Sequence, residues 1–340
     1  MKTLFLISIV FTLSALSVSG QSIERRVTPP AGYVREACDL HSFTAYLRTL
    51  SLLPAGSKVL LYNGQVKRNQ AAAYAVIDME IGNRDLQQCA DAVIRLRAEY
   101  LWAQKRYDEI KFNFTSGFPA KYKKWAEGNR IKVNGNKVQW YAATAPDYSY
   151  KTFRKYLDIV FMYAGTASLS KELVAVPYAS LSPGDVFIQG GSPGHAVIVM
   201  DVAVNPQTRK KVYLLAQSYM PAQQIHLLVN PQNRSLSPWY ELSSETTGKL
   251  YTPEWVFNKS DLKYLIRSKV INYLVQSFCI TIQILIGQGI VFCRKHREYF
   301  YREVRSVISF TADHGKCFTV YRLIERRQAF FSVASGFGSP

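Results

Sequence analysis

Cysteine is scarce in this 340-residue chain: there are five copies, and they are badly placed for cross-linking. Cys279, Cys293 and Cys317 fall in the last quarter, leaving only Cys38 and Cys89 in the body. An odd count without regular spacing excludes a disulfide framework, so those two either pair in an oxidising compartment or leave one thiol free. Neither Cys38 nor Cys89 belongs to a CxxC pair, so no metal site is expected, and no cofactor either. Acidic residues are short too, 24 against 42 basic ones, for a formal charge of +18. There is nevertheless no helix-turn-helix pattern, aromatic RNA-binding motif or long basic run, so nucleic acid is not expected as a partner. Of that charge, +7 sits in the final 75 residues, with 11 Lys/Arg against 4 Asp/Glu. Asp185 and Asp201 flank apolar segments, but nothing pairs them as a glycosidase couple.

Only two long apolar runs exist. MKTLFLISIVFTLSALSVSG has a basic start, an apolar core, and Val18 and Gly20 at the small-residue positions of a cleavage site. It reads as a secretory signal peptide over residues 1–20, which makes the remainder an exported protein, periplasmic or extracellular. The second run, within 266–293, is long enough to span a bilayer but is dotted with Asn272, Gln276, Gln283 and Gln288. Those amides make it a weak candidate, and no stable span is expected. The expected organisation is a Pro-containing linker at 21–31, a single domain over 32–265, and an atypical basic and apolar extension over 266–340 without ordered packing.

Within the domain the patterns alternate between helix and strand. SFTAYLRTLSLL places Phe43, Tyr46, Leu47 and Leu50 at helical spacing and stops at Pro54-Ala55-Gly56. KVLLYNGQVKRNQ and AAAYAVIDMEI read as strands. The stretch DLQQCADAVIRLRAEYLWAQKRY, residues 85–107, holds the best helix over 85–106, with Asp85 as its cap and Leu86, Cys89, Val93, Leu96 and Tyr100 on one face. A second helix is expected over 150–164. From Leu181 onward, DVFIQ, HAVIVMDVAV and VYLLAQSYM form an antiparallel meander over 185–229, with glycine-rich and polar turns between the strands. The fold class is therefore α+β, an antiparallel sheet packed against the two helices.

Two positions carry potential chemistry. Cys89 stands near a helix start, where free N–H groups favour a thiolate, although a small buried apolar role is equally ordinary for cysteine. His195 opens a strand directly after Gly190, Gly191, Pro193 and Gly194, a place more often chosen for function than for packing. His226, in IHLLV, reads as a strand-face residue, and Cys38 beside His41 as incidental. Trp125, Trp140, Tyr141, Trp239 and Tyr240 suit sugar stacking but suit a core as well.

Long stretches, SFTAYLRTLSLL, DLQQCADAVIRLRAEYLWAQ, GDVFIQGGSPGHAVIVMDVA, LLAQSYMPAQQIHLL and TPEW, resemble the exported bacterial domain-of-unknown-function family 4846 over about 32–265. That resemblance implies an export address and no activity. A cysteine at a helix head, then PGD-strand-turn-His-strand and a polar residue on the next strand, is more loosely similar to the papain-like cell-wall peptidases of NlpC and CHAP type. This second resemblance implies a papain-like arrangement with Cys89 as nucleophile, His195 as base and Gln217 orienting the imidazole. Gln87 or Gln88 is then the oxyanion donor, while Gln88, Gly191, Ser192, Trp125, Ser218 and Tyr219 are the expected substrate contacts. Departures are the QQCADA context, which lacks the usual Asp-Cys-Ser, and the 106-residue gap between Cys89 and His195. The expected partner is a cell-wall peptide or glycan, cleaved by a cysteine amidase or peptidase; the alternative is a non-catalytic module binding the same ligand. Strand register discriminates: partner numbers with an even sum put His195 and Gln217 on one face, whereas a turn centred on Gln207-Thr208 gives an odd sum and opposite faces.

Overall fold

A computed structural model describes residues 21–245 and 247–265, together with three strands farther along the chain. The expected signal peptide and the apolar run at 266–293 lie outside the described residues. Two compact units divide the chain, Met1–Ile266 and Arg267–Pro340. In the second unit the described strands Ile308–Ala312, Lys316–Tyr321 and Ser332–Ala334 pair as an antiparallel sheet.

The first unit is α+β. Its helices are α1 (Ile23–Arg26), α2 (Phe43–Thr49), α3 (Cys89–Ala103), α4 (Tyr122–Ala126), α5 (Tyr150–Tyr163) and α6 (Thr166–Glu172). Its strands are β1 (Val34–Arg35), β2 (Ala73–Val76), β3 (Lys111–Asn113), β4 (Pro119–Lys121), β5 (Asn129–Asn134), β6 (Lys137–Ala142), β7 (Leu173–Ala175), β8 (Val186–Gln189), β9 (His195–Val204), β10 (Lys211–Gln217), β11 (His226–Leu228), β12 (Tyr240–Leu242), β13 (Lys249–Tyr251), β14 (Val256–Asn258) and β15 (Leu262–Leu265). The main sheet runs β2-β11-β10-β9-β8-β15-β7, with β1 added to β9 and β12 to β10. Its centre is the expected three-strand meander. Among the described residues no helix is long and apolar enough to cross a membrane.

Alternation along the central strands buries both faces. Val186, Ile188, Ala196, Ile198, Leu214 and Ala216 join α3 and α5 in the larger core. Phe187, Val197, Val199, Tyr213 and Leu215 turn the other way, under Leu250 and Phe257 of the β13–β14 hairpin. His195 and Gln217 belong to this second face by parity. His195 reaches it through a bulge in β9: Lys211 to Leu214 pair with β9 at an odd sum (Leu214 with Asp201), then Leu215 pairs with Val199. Met200 is the extra residue, and it shifts the register to an even sum. Both registers considered from sequence therefore occur, on either side of one bulge.

Several boundaries differ from expectation. The helix expected at 85–106 begins only at Cys89, because the Asp85 carboxylate is taken by the Ala222 N–H at 2.7 Å and the Gln88 side chain at 3.0 Å. Gln88 becomes the cap residue, its N–H donating to Asp91 Oδ2 at 3.1 Å. Residues 21–31, expected as linker, contain α1, whose Ser22 cap and buried Ile23 and Val27 tie it to the core. KVLLYNGQVKRNQ forms turns with isolated bridges, Leu60 to Val66 and Leu61 to Gln223, rather than a strand.

β9 is pinned on its far side by charge. Asp201 is fully buried and accepts from Arg35 Nε at 2.6 Å and Arg48 Nε at 2.7 Å. Removing one member of such a cluster strands the others in low dielectric. Asp201→Ala is expected to cost roughly 3–5 kcal/mol of unfolding free energy, read from denaturant midpoints. A loss below about 1 kcal/mol would show that the arginines find other partners.

Candidate active site

The first residue of α3 sits at a fork in the sheet. β10 pairs with β9 as far as Ala216 opposite Ile198, then continues along β11, with Gln217 opposite His226. The β9 edge at Gly194–Ala196 is left for the head of α3. There the buried Cys89 Sγ lies 3.9 Å from Gly194 O, with the Ala196 N–H also directed at it. On the other side of the fork, the Ser218 hydroxyl sits 3.0 Å from Gln87 O and 2.8 Å from Gln223 O, fastening the helix entry to β10. Gly194 has no room for a side chain, since a Cβ would meet Gly191 O at 2.6 Å and Gln189 O at 2.8 Å.

His195 is 1 % exposed, and its ring packs against Tyr219, Trp255 and Phe257. Its Nε2 lies 2.9 Å from Gln217 Oε1. The Gln217 amide nitrogen donates to Glu254 Oε2 at 2.7 Å and lies 3.5 Å from His226 Nε2. His226 Nδ1 in turn donates to Gln224 O at 2.9 Å. Glu254 is held by Lys67 Nζ at 2.8 and 2.9 Å and by Asn69 Nδ2 at 3.1 Å. With acceptors on the nitrogen side, the Gln217 oxygen faces His195, so the imidazole proton is on Nε2 and Nδ1 keeps its lone pair.

Burial dominates the electrostatics. It pushes the Cys89 thiol up to about 11, against the Ala90 N–H that favours the thiolate. It lowers His195 to about 4, with the Gln217 hydrogen bond acting the other way, and lowers His226 to about 4. Asp91 is raised to about 8 by burial, partly offset by the Gln88 N–H. The resting pair is therefore a neutral thiol and a neutral imidazole. No hydrogen bond joins them among the described residues.

The residues expected from sequence are distributed unevenly. His195, Gln217 and Tyr219 come together at the fork, where Ser218 holds the helix entry and Cys89 reaches the Gly194 backbone. Gln88 is occupied by Asp85 and Asp91, while exposed Gly191 and Ser192 lie in the turn that delivers His195. Trp125 is elsewhere: it is buried under Arg130 and beside Tyr156, with its Nε1 donating to Thr152 O at 3.1 Å. Sequence reasoning missed Glu254 and Lys67. The one signal for Glu254 was an acidic residue inside the otherwise apolar and aromatic LYTPEWVF.

The family model described as a domain of unknown function (4846) matches residues 23–264. The chain belongs to this family. The matched span opens on α1 and ends in β15, so the family's domain is the first unit without the tail. No curated protein and no solved structure matches the chain. The family carries no established activity, and its chemistry has to be read from the fork itself.

The titrating groups give a signed expectation. His195 and His226 stay neutral in the fold down to about 4, whereas the unfolded chain binds protons below 6.5, so their contribution to stability is lost as pH falls from 6.5 to 4. Asp91 acts oppositely: protonated in the fold up to about 8 but ionised above 3.8 when unfolded, it loses stability as pH rises through that window. Asp91→Asn removes the opposing slope. Between pH 6.5 and 5 its stability is expected to fall more steeply than that of the parent, by about 1.4 kcal/mol per pH unit. Parallel curves from denaturant titrations of the two proteins would contradict the assignment.

Proposed function

We propose that the fork is the active site of an exported cysteine hydrolase that cleaves an amide bond in a cell-envelope peptide. The observation that carries this reading is the His195–Gln217 hydrogen bond, which leaves an unprotonated Nδ1 on the residue between Gly194 and Ala196, whose backbone groups the Cys89 sulfur approaches. The papain-like similarity read from sequence assigns the same three residues to the same roles, which adds support.

The chemistry starts from the neutral pair. Substrate binding has to bring the thiol past the Gly194–Ala196 backbone to His195, because the two side chains approach that edge from opposite faces of the sheet. Nδ1 accepts the thiol proton as the sulfur attacks the carbonyl carbon. The imidazolium then donates that proton to the leaving amine, and the C–N bond breaks to leave a thioester on Cys89. Water, deprotonated by the same ring, releases the acid and restores the thiol. Gln217 accepts from Nε2–H throughout and keeps the ring oriented. Tyr219 and Trp255, half-buried against His195, are the natural walls for the substrate.

A second reading is favoured by burial itself. With His195 1 % exposed and Cys89 held as a thiol, the fork also suits a polar core beneath a non-catalytic peptide- or glycan-binding surface.

The readings separate with the mature full chain and envelope-derived peptides, analysed by mass spectrometry. The hydrolase reading expects cleavage that falls at least about 100-fold in Cys89→Ala and in His195→Ala, with a trappable acyl adduct on Cys89. Its rate should stay level through neutral pH and drop as pH approaches 4, where His195 takes up a proton. Binding without cleavage, unchanged in Cys89→Ala, supports the second reading and overturns the first.

A further inference from the structure

We propose that Glu254, clamped by Lys67, is a positioning residue that sets the tautomer of His195 from outside the sheet. The inference deepens the hydrolase reading, on which its catalytic meaning rests, but the tautomer itself can be observed independently.

A glutamine amide has no intrinsic preference about which end faces which neighbour. Reversed, Gln217 would present its NH2 to His195 Nε2 and force the imidazole proton onto Nδ1, abolishing the base on that side. Two groups oppose the reversal. Glu254 Oε2 lies 2.7 Å from the Gln217 nitrogen and can only accept. His226 offers an Nε2 lone pair at 3.5 Å because its own proton is committed to Gln224 O. Of these acceptors Glu254 is the charged and closer one, and a carboxylate facing an amide oxygen would be repelled.

Glu254 is not part of β9, β10 or β11. It sits between β13 and β14, on a hairpin that brings Trp255 and Phe257 against the His195 ring. Lys67 approaches from a different loop, 6 % exposed, and also lies over the Tyr219 ring at 5.3 Å. The ion pair is bidentate on one ammonium, which fixes the carboxylate so that Oε2 remains directed at Gln217. Thus two loops remote in sequence meet behind Gln217, and the order they impose passes through one amide to the imidazole. When the hairpin is undocked, Gln217 loses its strongest acceptor and the ring its enforced tautomer.

The test is nitrogen NMR of histidine-labelled full chain near neutral pH, where both rings are neutral. In the parent, His195 is expected to carry its proton on Nε2. The paired variant Lys67→Met/Glu254→Met removes both charges together, so that no lone buried ion remains to unfold the protein. Losing one charge-assisted hydrogen bond should shift the His195 tautomer ratio toward Nδ1–H by about fivefold or more. Lys67→Met/Glu254→Gln keeps an acceptor oxygen without the charge and should restore the parent ratio. A purely structural ion pair would move stability but not this ratio. A parent ring protonated on Nδ1, or an unchanged ratio in the Met pair, overturns the proposal. The parent spectrum decides even if the Met pair does not fold. Absence of peptide cleavage by the parent with the tautomer shift intact would sink the hydrolase reading alone.

Discussion

The arrangement at the fork depends on the orientation of one buried amide. Gln217 has a carboxylate and an imidazole lone pair at its nitrogen and a ring proton at its oxygen, so every partner is complementary and none can be exchanged singly. An unsatisfied polar atom at this depth costs about 1–3 kcal/mol. A reversed Gln217 would create several mismatches at once. That penalty fixes the protonation pattern of both histidines more firmly than either histidine could alone, and it draws β10, β11 and the β13–β14 hairpin into one unit.

The imidazole is where it is because β9 contains an extra residue. Without the bulge at Met200, the register nearest the Lys211 hairpin would continue and His195 would face the helices, while Gln217 stayed with Tyr213 and Leu215 on the other face. With it, the polar pair lies under Phe257 and Trp255, on the face away from the body of α3. The separation of β10 from β9 beyond Ala216 opens the edge into which the head of α3 fits. Cys89 therefore comes to the sheet from one side and His195 from the other. They meet at the Gly194–Ala196 backbone and not through packed side chains.

Much of this was legible in the residues. The unbroken apolar runs of β8, β9 and β10 required a sheet covered on both faces, and the glycine-rich turn before His195 marked a strand start delivered under tight steric limits. The capping of α3 was not legible, because the fate of Asp85 depends on Ala222, 137 residues away. The bulge was not legible either: no glycine or proline marks Met200, and sequence allowed both registers without saying that both are used. Glu254 escaped because its partner Lys67 lies 187 positions away, and a single carboxylate in an aromatic hairpin has no periodicity to announce it. Trp125 shows the converse error, an aromatic suited to a ligand by type but claimed by the core through Thr152 and Tyr156.

Burial decides what the cluster can do at rest. An exposed helix start would favour a thiolate at Cys89, yet desolvation outweighs the N–H groups and holds the thiol neutral, just as it holds His195 unprotonated. Both groups are therefore neutral near pH 7, and neither is charged to attract the other across the Gly194–Ala196 backbone. The same desolvation strengthens the Lys67–Glu254 attraction, which needs little water to be effective and becomes more directional without it. The dry fork therefore keeps the thiol and the imidazole neutral and the amide between its partners firmly oriented. The charged pair that maintains the orientation lies in two loops and outside the sheet, so the geometry of the imidazole is governed from the periphery of the fold.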